Sequence, residues 1–297
     1  MNKLVYSPGR HQGIVVLGSR KSGRVTFMRQ LQAHLQMAQP SWEIVAFSMR
    51  PRADESVPTY LARMRACLRL DQPGDRLVAC INGWSLTDRS RTAPIDDRVQ
   101  AFANELRACL EDPAARRPFS MVAIGGYGLY HLRNGERALS VLNIAAQVDL
   151  PSLSEDEVYQ LMQTIGLHHW NRQDAAAVWQ RSGGHPLLTK RLLRAWCDEP
   201  LAGWDHAARA LEDDEDYLLP AFRIAANDPA ARAALRRCLH ASDGIKHSKI
   251  DARSAGNYLL YAGLLRRLNG RLGLRCAAVR ALVEQCIGDD PTWGHAG

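Results

Sequence analysis

The sequence contains no apolar run approaching the roughly 18 residues that a membrane-spanning helix requires, so it encodes no candidate span of that kind. Its first residues, MNKLVYSPGR, lack the apolar centre of an export signal; a cytoplasmic location with no membrane partner is therefore expected. Seven cysteines stand singly at 67, 80, 109, 197, 238, 276 and 286. Cys276 and Cys286 form the one close pair, and no second pair lies at zinc-ligand spacing, so all seven are read as reduced core residues. His168-His169-Trp170 also lacks a carboxylate or cysteine at ligand spacing, and a packing or surface role is expected for it. No internal repeat is visible. With 297 residues, 46% of them hydrophobic and 23% charged, the chain has ordinary globular composition. Its length fits one large domain or two to three smaller ones.

The charge is unevenly placed. The whole chain carries a net +7, but between Ala221 and Val283 twelve Arg or Lys residues face only Asp228, Asp243 and Asp251, a local +9 that leaves the remainder at −2. Just before this basic segment lies the acidic run Glu212-Asp-Asp-Glu-Asp216, which marks a composition break.

From residue 13 to 150, short apolar runs alternate with amphipathic stretches. Strands are expected at 13–17, 42–49, 76–81, 119–124 and 139–148, with helices at about 24–37, 55–70 and 97–110. Continuous apolar strands separated by helices predict a parallel sheet covered on both faces. After Pro151 the pattern is helical. Ser154 to Glu157 reads as a capping box opening a helix through Ile165, followed by helices at 171–181 and 186–196, the last with proline in its first turn. Further helices are expected at 228–240 and 251–262, then a hairpin over 264–274 centred on Asn269-Gly270, then a helix at 277–287. The expected organisation is an α/β domain over 1–150, a helical lid over 151–204, an acidic linker over 205–220 and a winged helix over 221–297.

Directly after the first strand comes Gly18-Ser-Arg-Lys-Ser-Gly23-Arg24-Val25-Thr26, opening a helix. Gly-x4-Gly is the spacing of a phosphate-binding loop, in which backbone N–H groups and a helix N-terminus cradle phosphates, a lysine reaches the β and γ phosphates, and a hydroxyl holds Mg²⁺. Arg24 stands at the lysine position and Val25 at the hydroxyl position. Arginine's planar fork does not replace a point charge, and valine cannot coordinate a cation. Thr26 lies about 100° further around the helix. Hydrolysis also needs an acid at the end of a neighbouring strand to hold Mg²⁺. Here 77–81 runs into Asn82-Gly83, and Asp88 would reach the site only through a rearranged loop.

The segment from Val15 to Leu31 resembles the G-P-R-R-S-G-K-T-S-L-L-R-Q-L start of prokaryotic ATPases of the AAA+ superfamily, in particular the STAND-like and archaeal-type groups. Ser182-Gly-Gly-His185-Pro186-Leu-Leu is similar to their T-G-G-H-P-Y-L motif, which in that family belongs to the helical lid and places a proline near the adenine. The three-domain order extends the likeness over nearly the whole chain. The resemblance implies a five-stranded parallel P-loop NTPase-type sheet with a lid and a C-terminal winged helix. It also implies a nucleotide site built from Gly18, Lys21, Ser22, Gly23, Arg24, Val25, Thr26, His185 and Pro186.

The departures at Arg24, Val25 and Asn82-Gly83 all fall on one Mg²⁺-phosphate centre. ATP or ADP binding without hydrolysis and without Mg²⁺ is therefore expected, in a regulatory or scaffolding subunit of a prokaryotic signalling or defence system with a protein partner. Two alternatives stand beside it. One is an active ATPase in which Arg24 and Thr26, or a neighbouring subunit, supply the missing groups. The other is a DNA-binding regulator using the basic segment, with Arg253, Arg266, Arg267 and Arg271 on phosphates. Arginine is abundant throughout the chain, and winged helices of this family often dock proteins instead.

Overall fold

The computed structural model describes residues 12–69, 76–84, 95–112, 118–134, 139–199, 203–212, 216–241, 244–246 and 253–287. The chain divides into two compact units, Met1–Gly18 with Gly23–Leu150, and Ser19–Ser22 with Pro151–Gly297.

The first unit is built on a parallel sheet of β1 (Gln12–Leu17), β2 (Trp42–Ser48), β3 (Arg76–Asn82), β4 (Phe119–Gly125) and β5 (Ala146–Asp149), in the order β2-β3-β4-β1-β5. Strands β3 and β4 are buried at every position but the last, as their unbroken apolar runs require for strands covered on both faces. The edge strand β5 is exposed throughout. Helix α1 (Arg24–Ala38) turns Met28, Leu31 and Leu35 inward, a spacing of three and four that puts them on one face. They join Val16, Val78, Val122 and Ile124 in one apolar cluster. On the β2 side, α2 (Val57–Leu68) is capped by Ser56, whose Oγ accepts the Thr59 N–H at 3.3 Å. Helix α3 (Asp97–Glu111) is capped by Asp96.

The apolar run 139–148 forms a helical turn, α5 (Ser140–Asn143), and then β5, instead of one strand. Leu139, Val141 and Leu142 are fully buried, and a short apolar run of this kind has no period that separates a buried strand from a buried helix. A further helix, α4 (Tyr127–Asn134), follows β4 directly.

In the second unit, α6 (Glu155–Thr164) and α7 (Arg172–Ser182) each open on a complete capping box, Ser154 with Glu157 and Asn171 with Asp174. Helix α8 (Pro186–Asp198) starts on its proline. Helix α9 (Gly203–Glu212) occupies the start of the stretch read as an acidic linker, because Ala207 and Leu211 present buried apolar positions before the acids begin. There follow α10 (Leu218–Ala226), α11 (Pro229–His240), α12 (Arg253–Ala262) and α13 (Ala277–Ile287). An antiparallel sheet of β6 (Ile245–Lys246), β8 (Arg271–Leu274) and β7 (Leu265–Leu268) lies among them. Asn269 and Gly270 take φ of 49° and 76° between β7 and β8, the left-handed pair that a two-residue hairpin demands.

Cys80, Cys238 and Cys276 are buried and Cys67 and Cys109 partly so, but Cys197 and Cys286 are exposed on α8 and α13, against expectation. His168 and His169 are exposed, and Trp170 packs edge-on against Trp196 and Trp204 at 4.3 and 5.2 Å. Among the described residues no helix is long and apolar enough to cross a membrane.

Tyr217 joins the end of α12 to the start of α8 in the second unit. Its Oη donates to Ala262 O at 3.0 Å and lies 3.2 Å from His185 Nε2, and the residue is fully buried. Tyr217→Phe should lower stability by about 1–3 kcal/mol, since the part-buried Ala262 carbonyl loses its donor. A urea titration showing an unchanged midpoint would contradict this.

Candidate functional site

Strand β1 ends at Leu17, paired with Gly125 of β4, and the Gly18 N–H donates to Gly125 O at 3.0 Å. Lys21 and Gly23 take φ of 62° and 85°, so the chain climbs through two left-handed positions before α1 begins. Gly23 is the N-cap; no side chain caps the helix and its first turn carries no acid. The first backbone bond of the helix runs from the Phe27 N–H to Gly23 O at 2.8 Å. The N–H groups ahead of it therefore have no helical acceptor, and the positive end of the helix dipole is not neutralised from within.

That helix end opens onto a cleft of about 410 Å³ in the first unit, beyond the carboxyl ends of the strands where open α/β sheets bind ligands. Arg24, Val25 and Met28 line it from α1, and Ser48 with Arg50 line it after β2. Asn82, Gly83 and Trp84 follow β3, and Gly125 and Gly126 end β4. Among the described residues no carboxylate lines it. The Arg24 guanidinium lies over Gly126, where a Cβ would stand 2.7 Å from Arg24 Nη1. Trp84, 2% exposed, is fixed by its Nε1–H donating to Ile81 O at 2.9 Å.

Gly83 occupies the place where a second acid would be expected, and it has φ +71°. A Cβ there would collide with Ser48 Oγ and stand 3.2 Å from the Arg50 backbone nitrogen. A glutamate at position 83 would thus be strained by the backbone conformation and would require Ser48 to shift. Asn82 offers a neutral amide, whose Nδ2 lies 3.9 Å from Met28 Sδ. Mg²⁺ prefers an octahedron of hard oxygens that includes carboxylate, and this donor set does not fit it. Asp88 lies outside the described residues.

Of the expected nucleotide residues, Arg24 and Val25 line the cleft. Lys21 and Thr26 are exposed and do not line it, so Thr26 does not take over the hydroxyl position. Gly18 is buried at the strand end, and Ser22 Oγ is buried without a hydrogen-bond partner.

His185 and Pro186 belong to the second unit. His185 has no exposed surface, stacks on Tyr217 at 5.1 Å, and its Nε2 lies 2.9 Å from Arg20 O. Since Tyr217 donates to Ala262 and Arg20 O only accepts, the proton must sit on Nε2. Nδ1 has no partner. Burial, aided by the Arg275 charge, pushes the His185 pKa down to about 3. Arg20 N–H donates to Tyr261 O at 2.8 Å.

The basic segment changes character in the structure. Arg275 is 3% exposed and donates to Ser152 Oγ at 3.1 Å and Leu265 O at 2.8 Å. Arg266 lies 5.0 Å over the Trp179 ring, with Nε and Nη1 buried and unpartnered. Arg236 donates to Ile287 O at 3.0 Å. Arg266 is therefore engaged in packing through two of its guanidinium nitrogens, which its place beside Arg267 in the sequence gave no sign of. Arg271 and Lys246 line a shallow recess with Gly244 and Ile245, and Arg267 is exposed. The Arg253 side chain and Lys249 lie outside the described residues.

Sequence reasoning missed Ser48, Arg50, Trp84 and the Gly125-Gly126 pair. Their signal was positional, since each directly follows an apolar run of a parallel sheet.

No protein-family model and no curated protein matches the sequence. Solved structures do match. The chain is similar to the ORC2 protein of Aeropyrum pernix in its ADPNP–ADP complexes, at 11% identity and TM-score 0.54, over 96% of this chain and 90% of that one. It is also similar to a Walker-type ATPase of Pyrococcus abyssi, at 7% identity and TM-score 0.57, over 95% and 94%. At such identities the likeness is one of fold, and the observed strand order matches an AAA+ P-loop NTPase fold.

The buried neutral histidine generates a pH dependence. A base whose folded pKa lies below its unfolded value of about 6.5 costs no stability above pH 6.5 and loses stability progressively as pH falls toward 3. The His185 contribution to this slope is at most about 1.4 kcal/mol per pH unit. Denaturant titrations at pH 7 and 5.5 should show this loss, and His185→Gln should flatten it; an unaltered slope in the variant would assign the dependence elsewhere.

Proposed function

We propose that this chain is a non-hydrolysing, STAND-like member of the AAA+ class. It binds ATP or ADP at the α1 N-terminus and acts as a regulatory or scaffolding subunit of a cytoplasmic multi-protein system. The observation that carries this reading is the cleft itself. It keeps the strand-to-helix turn, the uncapped helix end and two guanidinium groups, and among the described residues has no carboxylate in its lining. Nucleotide binding is further supported by the ADPNP and ADP held by the Aeropyrum protein of the same fold.

Removing one donor or ligand from a preorganised charge-stabilising site costs on the order of 10² to 10³ in rate. Arg24, Val25 and Asn82-Gly83 leave one centre without its lysine, its hydroxyl and its acids, and an acid at position 83 would be strained by the backbone conformation. Assignment to a prokaryotic signalling or defence system rests on analogy with the family.

The small antiparallel sheet with α11, α12 and α13 supports reading the C-terminal part as a winged helix. Docking a protein is favoured over binding DNA, because Arg266, Arg275 and Arg236 are engaged within the unit itself and a reduced set of cations is left for phosphates.

Steady-state turnover of ATP with Mg²⁺ tests the central claim. Release of phosphate should not exceed the protein-free rate, and turnover that Gly23→Asp abolishes would establish an active ATPase instead. For DNA, the structure redirects the test to Arg267→Glu with Arg271→Glu. A salt-dependent shift at low ionic strength that this pair weakens would favour the DNA-binding regulator, and no shift is expected.

A further inference from the structure

We propose that the cleft holds the polyphosphate of its nucleotide without a divalent cation, and that Arg50 supplies the charge that the cation would otherwise bring. This rests on the nucleotide-binding reading above.

The geometry sets Arg50 beside the vacated acid position. Strands β2 and β3 pair in register, Ser48 with Asn82, and the Met49 N–H donates to Asn82 O at 2.8 Å, so both chains leave the sheet together. The Arg50 nitrogen stands 3.2 Å from where a side chain at 83 would begin. The Arg50 backbone thus leaves the sheet beside residue 83, and Arg50 lines the same cleft as Asn82 and Gly83. One carboxylate with one Mg²⁺ sums to a single positive charge, and one guanidinium supplies the same charge with donors that match phosphate oxygens.

Arg50 is held at its backbone and not at its head. Its N–H donates to Ser48 Oγ at 3.3 Å, and its carbonyl accepts from Arg63 Nη2 at 3.4 Å. Glu55, an acid of the same connection, is committed elsewhere. Both its oxygens accept from Arg63 at 2.7 Å, which holds its carboxyl down at about 2. Among the described residues the Arg50 guanidinium makes no hydrogen bond or ion pair. With Arg24 also in the lining, the described residues bring two cations and no acid to the cleft, so among them a divalent cation would meet repulsion and neutral donors alone.

Binding of ADP to the full chain, measured by calorimetry in excess EDTA and again in excess Mg²⁺, decides the matter. Affinity in EDTA should equal or exceed that in Mg²⁺, since the metal masks the charge that the arginines read. Arg50→Ala should weaken ADP in EDTA about tenfold or more, the worth of one charge-assisted hydrogen bond. Arg50→Lys should recover part of the loss, with thermal melting unchanged in both variants. Inorganic pyrophosphate should compete with ADP in EDTA. ADP binding that requires Mg²⁺, or that Arg50→Ala leaves unaltered, would overturn the inference while sparing the nucleotide reading. Absence of ADP and ATP binding in both buffers would overturn both.

Discussion

The level at which β1, β3 and β4 end governs the first unit. Parallel pairing of Leu17 with Gly125, closed by the Gly18 N–H on Gly125 O, leaves the chain at the carboxyl edge of the sheet with a helix still to start. An uncapped helix beginning there projects its partial positive charge over the edge. Every residue that follows a strand on that edge then faces the same field. Asn82, Gly83, Gly125 and Gly126 bring no negative charge to it, while Arg24 and Arg50 add positive charge. The result is a cleft whose electrostatics favour an anion and disfavour a cation.

Arginine does different work in the second unit. Arg275 is buried among Ser152 and Leu265, and Arg266 lies flat on Trp179. Guanidinium is weakly hydrated and stacks on aromatic faces, so arginine tolerates such positions where lysine would not. Burial, aided by the Arg275 charge, keeps His185 neutral, and its Nε2–H donates to Arg20 O. The histidine of the Gly-Gly-His-Pro turn thereby has a structural occupation that its motif alone does not reveal.

Much of the framework was legible in the chain. The strand cores at 77–81 and 119–124 are apolar without interruption, and the capping residues Ser154, Asn171 and Asp228 sit where their helices begin. Asn269-Gly270 placed the hairpin within a residue. Less legible were 139–148, where a buried helical turn and an edge strand share one apolar run, and α9, whose two buried positions precede a run of acids.

Local chemistry is written along the chain: hydrophobic period, caps, turns and the phosphate-loop spacing from Gly18 to Gly23 depend on neighbours a few residues away, so the sequence by itself determined them. It also determined that Arg24, Val25 and Asn82-Gly83 stand where a lysine, a hydroxyl and two acids would be expected. Only the tertiary structure decided that Arg50 lines the cleft beside residue 83, that a side chain at 83 would be strained by backbone conformation and close neighbours, and that Arg275 is interior while Arg266 packs on Trp179. These facts depend on strand register and on packing between segments tens of residues apart, and no local pattern in the sequence encodes such distances.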